Sequence, residues 1–289
     1  VAYSWKRVLW CVVLGQDRCR SDCLTFAYSL LVFILGLFAG FGINVVSTRL
    51  AANRPMLGAF NCSRSPHPLS LVQVLPVLGY ISQRGVCTTC GKRLPASFPA
   101  TELATGGLFL ALFLFEGWGL SFAFHALYVA ALLLVLVIDW KHRDIYFSVI
   151  AAGSLFALVG SLLLPGASIQ SALIGAGVAG GFFLLAYLLA KLIFPHIEEP
   201  LGAGDVWLAL MMGLMLGFPN VVGALLIGPL LAGLAVLLLL VLRKRKMGDF
   251  IPYGVALCAA SILFLVYPGP FADALKLPNL MLLLAGIFG

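Results

Sequence analysis

Long apolar runs broken by short polar connections set the pattern of this chain. Eight of them fall at about 25–47, 102–116, 119–139, 146–164, 169–194, 206–218, 219–242 and 251–267. A shorter apolar tail at 278–288 could form a ninth element or a surface helix. The second and sixth runs are short and contain or adjoin glycine. A helix crossing a bilayer needs about 20 mostly apolar residues. Backbone groups in hydrocarbon must be bonded internally, which leaves helices or a closed barrel. Runs this long and without alternation exclude the barrel. The pattern therefore predicts an all-α polytopic membrane protein with about eight transmembrane helices and a small cytoplasmic insert between the first and second.

Composition agrees and removes the soluble alternative. Of 289 residues, 62% are hydrophobic and 10% charged, whereas a soluble domain keeps about 25% charged. The surplus apolar side chains must face lipid. The formal charge of +7 would suggest a nucleic-acid binder only if the basic residues clustered without another cause, and membrane orientation supplies one. Arg49, Arg54, Arg64, Arg84, Lys92 and Arg93 follow the first run, Lys141 and Arg143 the third, Lys191 the fifth, and "RKRK" stands at 243–246. The alternate loops near 116–121, 164–169 and 217–220 hold no Lys or Arg. Basic loops stay in the cytoplasm, so the amino terminus is placed outside, against the sign of Lys6, Arg7, Arg18 and Arg20. The first residues do not read as a signal peptide, since their apolar core is short and no small-residue cleavage site follows. The expected division is an amino-terminal segment of unknown role at 1–24, the first span at 25–47, the cytoplasmic insert at 48–101 and a membrane core at 102–289.

Candidate chemistry rests on two acids. Asp139 ends the third run in "LLLVLVIDWKHRDIY", and Asp205 opens the sixth in "LGAGDVWL". Counting spans puts both at the inner edge of the membrane on helices of opposite direction. A carboxylate in an apolar span costs roughly 2.5–3.5 kcal/mol at mid-span and less at the edge. Each Asp could simply sit in headgroup water, with Asp205 capping its helix. Gly202 and Gly204 point further, because glycine permits positive φ or close backbone approach and would let an extended peptide reach the carboxylate. Two carboxylates in a low-dielectric site share a proton, so one can activate water while the other donates to a peptide carbonyl. An ion or proton-coupled transporter using Asp139 and Asp205 is the reading from a different class, although the two related halves common in transporters are not seen. A catalytically silent assembly factor is a third.

Five segments in order resemble the type IV prepilin peptidase family, membrane aspartic proteases marked by Gly-x-Gly-Asp. They are "GFGINVVSTRL" with Asn44 and Arg49, "LPVLGYISQRGVCTTCGKRLPASFPATEL" with Cys87, Cys90 and Glu102, "VIDWKHRDIY" with Asp139, "LGAGDVWL" with Asp205, and "IPYGVAL" at 251–257. The resemblance implies an aspartic endopeptidase of the bacterial inner membrane. Its active site would face the cytoplasm and cut the basic leader of prepilin or pseudopilin substrates just before their apolar helix. Its partners would be that substrate and membrane lipid, with no nucleic acid. Asp139 and Asp205 would be catalytic, and Gly202, Gly204, Glu198 and Glu199 would meet substrate, the two Glu drawing leader Lys or Arg unless their loop is merely solvated. Many family members also methylate the new amino terminus with S-adenosylmethionine, a cofactor expected here only if that activity is retained.

Three departures from the family pattern stand out. Ile145-Tyr146-Phe147 replaces the usual Ile-Pro-Asp or Ile-Pro-Asn, and Trp207 replaces a Lys two residues after the second Asp. In place of two Cys-x-x-Cys pairs, the insert has "CTTC" and "CSRS", with Ser65 where a cysteine is usual. A structural zinc site would then use Cys62, Cys87, Cys90 and His67, a three-Cys, one-His set; the alternative is a decayed site without metal. Cys258 lies in an apolar run and reads as a packing residue.

Overall fold

The computed structural model describes residues 17–56, 58, 62, 74–196, 202–241 and 253–267. Among them the chain is helical: α1 (Asp17–Ala51), α2 (Leu78–Ser82), α3 (Ser97–Glu116), α4 (Leu120–His142), α5 (Phe147–Leu163), α6 (Ile169–Ile193), α7 (Ala203–Leu216), α8 (Asn220–Val241) and α9 (Tyr253–Val266). Each of the eight long apolar runs is a helix. Four helical stretches have the length and apolarity of a membrane span, Leu24–Ala51, Ser97–Glu116, Leu120–His142 and Ile169–Ile193, and the other four apolar helices are shorter. The tail at 278–288 lies outside the described residues. Helix α1 starts at Asp17, so helical backbone extends into the segment expected to precede the first span. The chain divides into two compact units, one holding residues up to Thr48 and Pro55–Trp118, the other Arg49–Arg54 and Gly119 onward. Helix α3, whose apolar run the sequence pattern grouped with the later spans, sits in the first.

The first unit is built on small residues. An added Cβ at Gly36 would lie 2.7 Å from Gly106 Cα, and one at Gly40 2.6 Å from Glu102 Cα. Helices α1 and α3 therefore meet at backbone distance, the packing that replaces hydrophobic burial where the surroundings are as apolar as the side chains. One turn beyond Gly40, Asn44 Nδ2 donates to Phe98 O at 3.0 Å and to Glu102 Oε1 at 3.4 Å. Glu102, only 5% exposed, accepts the Val77 backbone N–H at 2.7 Å through its other oxygen. The insert is thus pinned to the span by a buried polar group whose satisfaction depends on it.

In the second unit α7 is the central element. Leu208, Ala209, Met211 and Met212 are fully buried, and α5, α6 and α9 all pack on this helix. Against α6 the contact is again backbone to backbone: a Cβ at Gly175 would lie 2.5 Å from Gly213 O. Ser171 Oγ donates to Phe218 O at 2.8 Å and the Phe218 N–H donates back to Ser171 O at 3.0 Å, closing that interface at one end. Met211 Sδ fills the space beside Gly153 of α5, and Leu257 of α9 the space beside Gly228 of α8. Helix α4 packs on α5 and α9.

Candidate active site

Helix α4 carries Asp139 at its carboxyl end. The preceding turns are anchored by buried Leu132, Leu133, Val135, Val137 and Ile138, which fix the rotation of the helix and turn Asp139 inward, to 6% exposure. Arg143 ends the helix in the left-handed conformation (φ 56°), with its N–H on Asp139 O at 2.9 Å. Helix α7 begins just after Gly202, and Asp205 stands in its first turn. The Asp205 N–H donates to Gly202 O at 3.1 Å, and no side chain caps the helix. The cap position thus falls on Gly202, and Asp205 stands three residues inside the helix rather than at its cap.

The two carboxyls lie within electrostatic range of each other, the charge of Asp139 acting on Asp205. A third element closes the site. Helix α9 opens with Tyr253, Gly254 and Val255. An added Cβ at Gly254 would lie 2.7 Å from Asp139 Oδ2 and 3.4 Å from Leu208 Cδ2, so the bare Cα of this glycine is the wall against which the carboxyl rests. The Val255 backbone N–H faces the same carboxyl as a hydrogen-bond donor, and the Arg143 charge acts on it. Asp139 Oδ2 is buried and has no hydrogen-bond partner among the described residues. Tyr253 feels the charge of Asp205, and its ring lies 5.9 Å from that of Phe183 on α6. Cys258, buried one turn along α9, feels both acids. The carboxyl end of α4 thus lies against the amino end of α9, with the amino end of α7 within electrostatic range, and the first-turn N–H groups of both favour negative charge.

The flanking glycines act differently from each other. Gly202 has φ −68° and Gly204 lies inside α7, so neither relies on positive φ. A Cβ at Gly204 would lie 2.9 Å from Ile145 Cβ. Close packing of the segment after Asp139 explains that glycine. At Gly202, among the described residues only Asp205 Oδ2, at 3.6 Å, would be near an added Cβ.

The insert forms the second constellation. Cys87 and Cys90 sit in a tight turn: Cys87 N–H donates to Lys92 O at 2.9 Å, Gly91 N–H to Cys87 O at 2.8 Å, and Val86 pairs with Arg93. Gly91, at φ 66°, supplies the left-handed step the turn needs. The Sγ atoms of Cys62, Cys87 and Cys90 all lie within 4.8 Å of one another, Cys62 and Cys90 at 3.9 Å. Three thiols this close fit one tetrahedral metal, with each Zn–S bond about 2.3 Å. Burial alone would raise the Cys87 thiol, yet the backbone N–H groups of Cys90 and Thr89 outweigh it and hold the thiol below its ordinary value. That favours the thiolate a metal requires.

Of the residues singled out from sequence, Asp139, Asp205, Gly202 and Gly204 gather at one place, and Cys62, Cys87 and Cys90 at another. His67, Glu198 and Glu199 lie outside the described residues. Sequence reasoning matched "IPYGVAL" to a motif but gave Tyr253, Gly254 and Val255 no part in the site. The available signal was a glycine placed where a helix begins after a proline.

A chain of apolar helices, four of them long and apolar enough to cross a bilayer, belongs to the class of polytopic membrane proteins. The family models agree: residues 34–115 match the bacterial peptidase A24 N-terminal domain and residues 126–238 the type IV leader peptidase family. Proteins called "Prepilin leader peptidase/N-methyltransferase" are similar to it. That of Burkholderia pseudomallei strain 1026b is 33% identical over 73% of this chain and 67% of its own length. That of Bacillus subtilis strain 168 is 28% identical over 82% and 93%, and that of Myxococcus xanthus strain DK1622 28% over 75% and 65%. The chain thus spans just under two thirds of the Myxococcus relative and nearly all of the Bacillus one. No solved structure matches. The chain belongs to the type IV leader peptidase family.

Proposed function

We propose that the chain is a membrane aspartic endopeptidase that removes the basic leader from prepilin or pseudopilin substrates, with Asp139 and Asp205 as its catalytic pair. The observation that carries this reading is that Asp139 and Asp205 lie within electrostatic range of each other, the Asp139 carboxyl beside Gly254 at the start of α9. The pair shares one proton. The ionised carboxylate takes a proton from water as its oxygen attacks the scissile carbonyl carbon, and the protonated carboxyl gives its proton to the carbonyl oxygen. Collapse of the tetrahedral species breaks the C–N bond. The amine leaves with the proton taken from water, and the pair regains its own from the collapsing hydroxyl.

Gly202 leaves room for substrate backbone beside Asp205, whereas Gly204 serves the contact with Ile145. Glu198 and Glu199 would draw the Lys and Arg of the leader. The substrate is itself a membrane helix, which accords with a site at the ends of apolar helices. The gathering of Lys and Arg in alternate loops supports a site on the cytoplasmic face of the bacterial inner membrane. Zinc would be held by Cys62, Cys87 and Cys90, with His67 as fourth ligand, and would stiffen the insert. Methylation of the new amino terminus with S-adenosylmethionine is the companion activity named for the relatives.

Co-expression with a prepilin carrying a basic leader tests the reading. The wild type shortens the substrate, seen as a mobility shift, and Asp139→Asn and Asp205→Asn each abolish the shift at normal protein levels. Cleavage retained by either variant would refute the pair. Mass spectrometry of the product decides methylation: a mature chain without the added methyl mass removes that activity.

A further inference from the structure

Phe147 and Trp207 occupy two positions where the chain departs from the family pattern, and the structure brings them together. Their ring centroids are 5.4 Å apart at an interplanar angle of 80°, an edge-to-face contact. Phe147 is the first residue of α5, joined to Asp139 by the short turn after α4, and Trp207 lies on α7 two residues past Asp205. At about 100° per residue, Trp207 projects about 200° around the helix from Asp205. The ring therefore acts on the carboxyl only through the backbone. The neighbouring contact has the same sense: Ile145 fills the space at Gly204. Ile145 on Gly204 and Phe147 on Trp207 thus bracket Asp205 from both sides along its own helix.

The pair is not core packing. Phe147 is 63% exposed and Trp207 48%. The α5–α7 interface is held separately by Met211 and Met215 seated against Gly153. Removing either ring leaves that interface in place, so the contact's consequence is local to the first turn of α7.

We propose that Phe147 and Trp207 form a positioning clamp that sets the place of Asp205 relative to Asp139. The inference rests on the peptidase reading and deepens it. The test uses full-length protein in detergent with a prepilin substrate and compares wild type, Phe147→Ala, Trp207→Ala, the double variant and Trp207→Phe. From the strength of an edge-to-face pair, each alanine variant loses roughly two- to tenfold in kcat. KM holds, and the double variant loses no more than the worse single one. Trp207→Phe regains most of the activity. The limbs of the pH–rate profile move in Trp207→Ala and stay in Trp207→Phe, because spacing decides how the carboxyls share their proton.

An unchanged kcat, a loss confined to KM, or losses that multiply in the double variant would each overturn the clamp. A loss confined to KM would make the rings a substrate contact instead. If those results come while wild type cleaves and the two Asp→Asn variants do not, the clamp alone falls. A wild type without cleavage removes both the clamp and the reading beneath it.

Discussion

Gly254→Ala is the sharpest single perturbation of the site. The new methyl would lie 2.7 Å from Asp139 Oδ2 and 3.3 Å from its Cγ, roughly 0.7 Å short of ordinary van der Waals separation. Something has to move, and the atom in the way is the end of a short side chain rather than backbone. Stability is therefore spared: Ala in a helix is favoured over Gly by up to about 1 kcal/mol, which offsets the modest cost of rotating one carboxyl. Activity is not spared, because the group displaced is half of the proposed catalytic pair. Misplacement of about 1 Å costs on the order of a hundredfold, so a displacement of this size lowers kcat by about ten- to a hundredfold. Gly233→Ala on α8, where an added Cβ meets nothing within 4 Å among the described residues, is the matched control. The assay is leader cleavage in detergent with kcat and KM separated, alongside the thermal midpoint. Gly254→Ala with wild-type kcat would refute the placement of the Asp139 carboxyl against α9. A collapsed thermal midpoint would refute the claim that the clash is absorbed by a side chain.

Other substitutions separate packing from chemistry. Gly175→Ala drives a methyl onto the Gly213 carbonyl at 2.5 Å; backbone cannot step aside, so overpacking lowers stability by about 1–3 kcal/mol, and an unchanged unfolding midpoint would contradict the contact. Glu102→Leu leaves the Val77 N–H, now bonded at 2.7 Å, without its acceptor. The loss of about 1–3 kcal/mol loosens the insert, read as faster proteolysis between residues 74 and 96, and unchanged proteolysis counts against the tether. Cys62→Ser lowers bound zinc, measured by elemental analysis of purified protein, while Cys258→Ser leaves it unchanged. Equal zinc in both would place the metal elsewhere.

The helices were legible because lipid imposes a length and an apolarity that a sequence shows directly. The run at 119–139 became Leu120–His142, and 146–164 became Phe147–Leu163. The start of α1 was not legible: polar "DRCRSDC" from Asp17 is helical, and hydropathy marks where a helix meets lipid rather than where it begins. Asp139 and Asp205 could be chosen by type and motif, but their approach could not, since it depends on how α4, α7 and α9 pack. The same limit hid Gly254. Its neighbour Asp139 is remote in the chain, and only the assembled unit shows why a side chain there would intrude. Gly204 shows the limit from another side. The motif drew attention to the right residue, while the contact with Ile145 gives it a packing reason in place of the expected backbone freedom.

The short seventh helix ties the fold to the chemistry. Its 14 residues reach about 21 Å, against roughly 30 Å for the hydrocarbon core of a bilayer. A helix that short, standing upright in a bilayer, brings at least one of its ends to the level of the hydrocarbon. Such a terminus is tolerated at that depth only where it is buried in protein or lines a wet cavity. Helices α5, α6 and α9 supply protein walls around α7, and its backbone contact with α6 at Gly175 and Gly213 fixes the end of the helix away from Asp205. A hydrolytic site needs water beside carboxyls, and lipid would deny both. Small residues that let helices touch at backbone distance thus fix α7 in the bundle, and the proposed acid pair depends on the opposite end of that helix being walled by protein and wet rather than open to lipid.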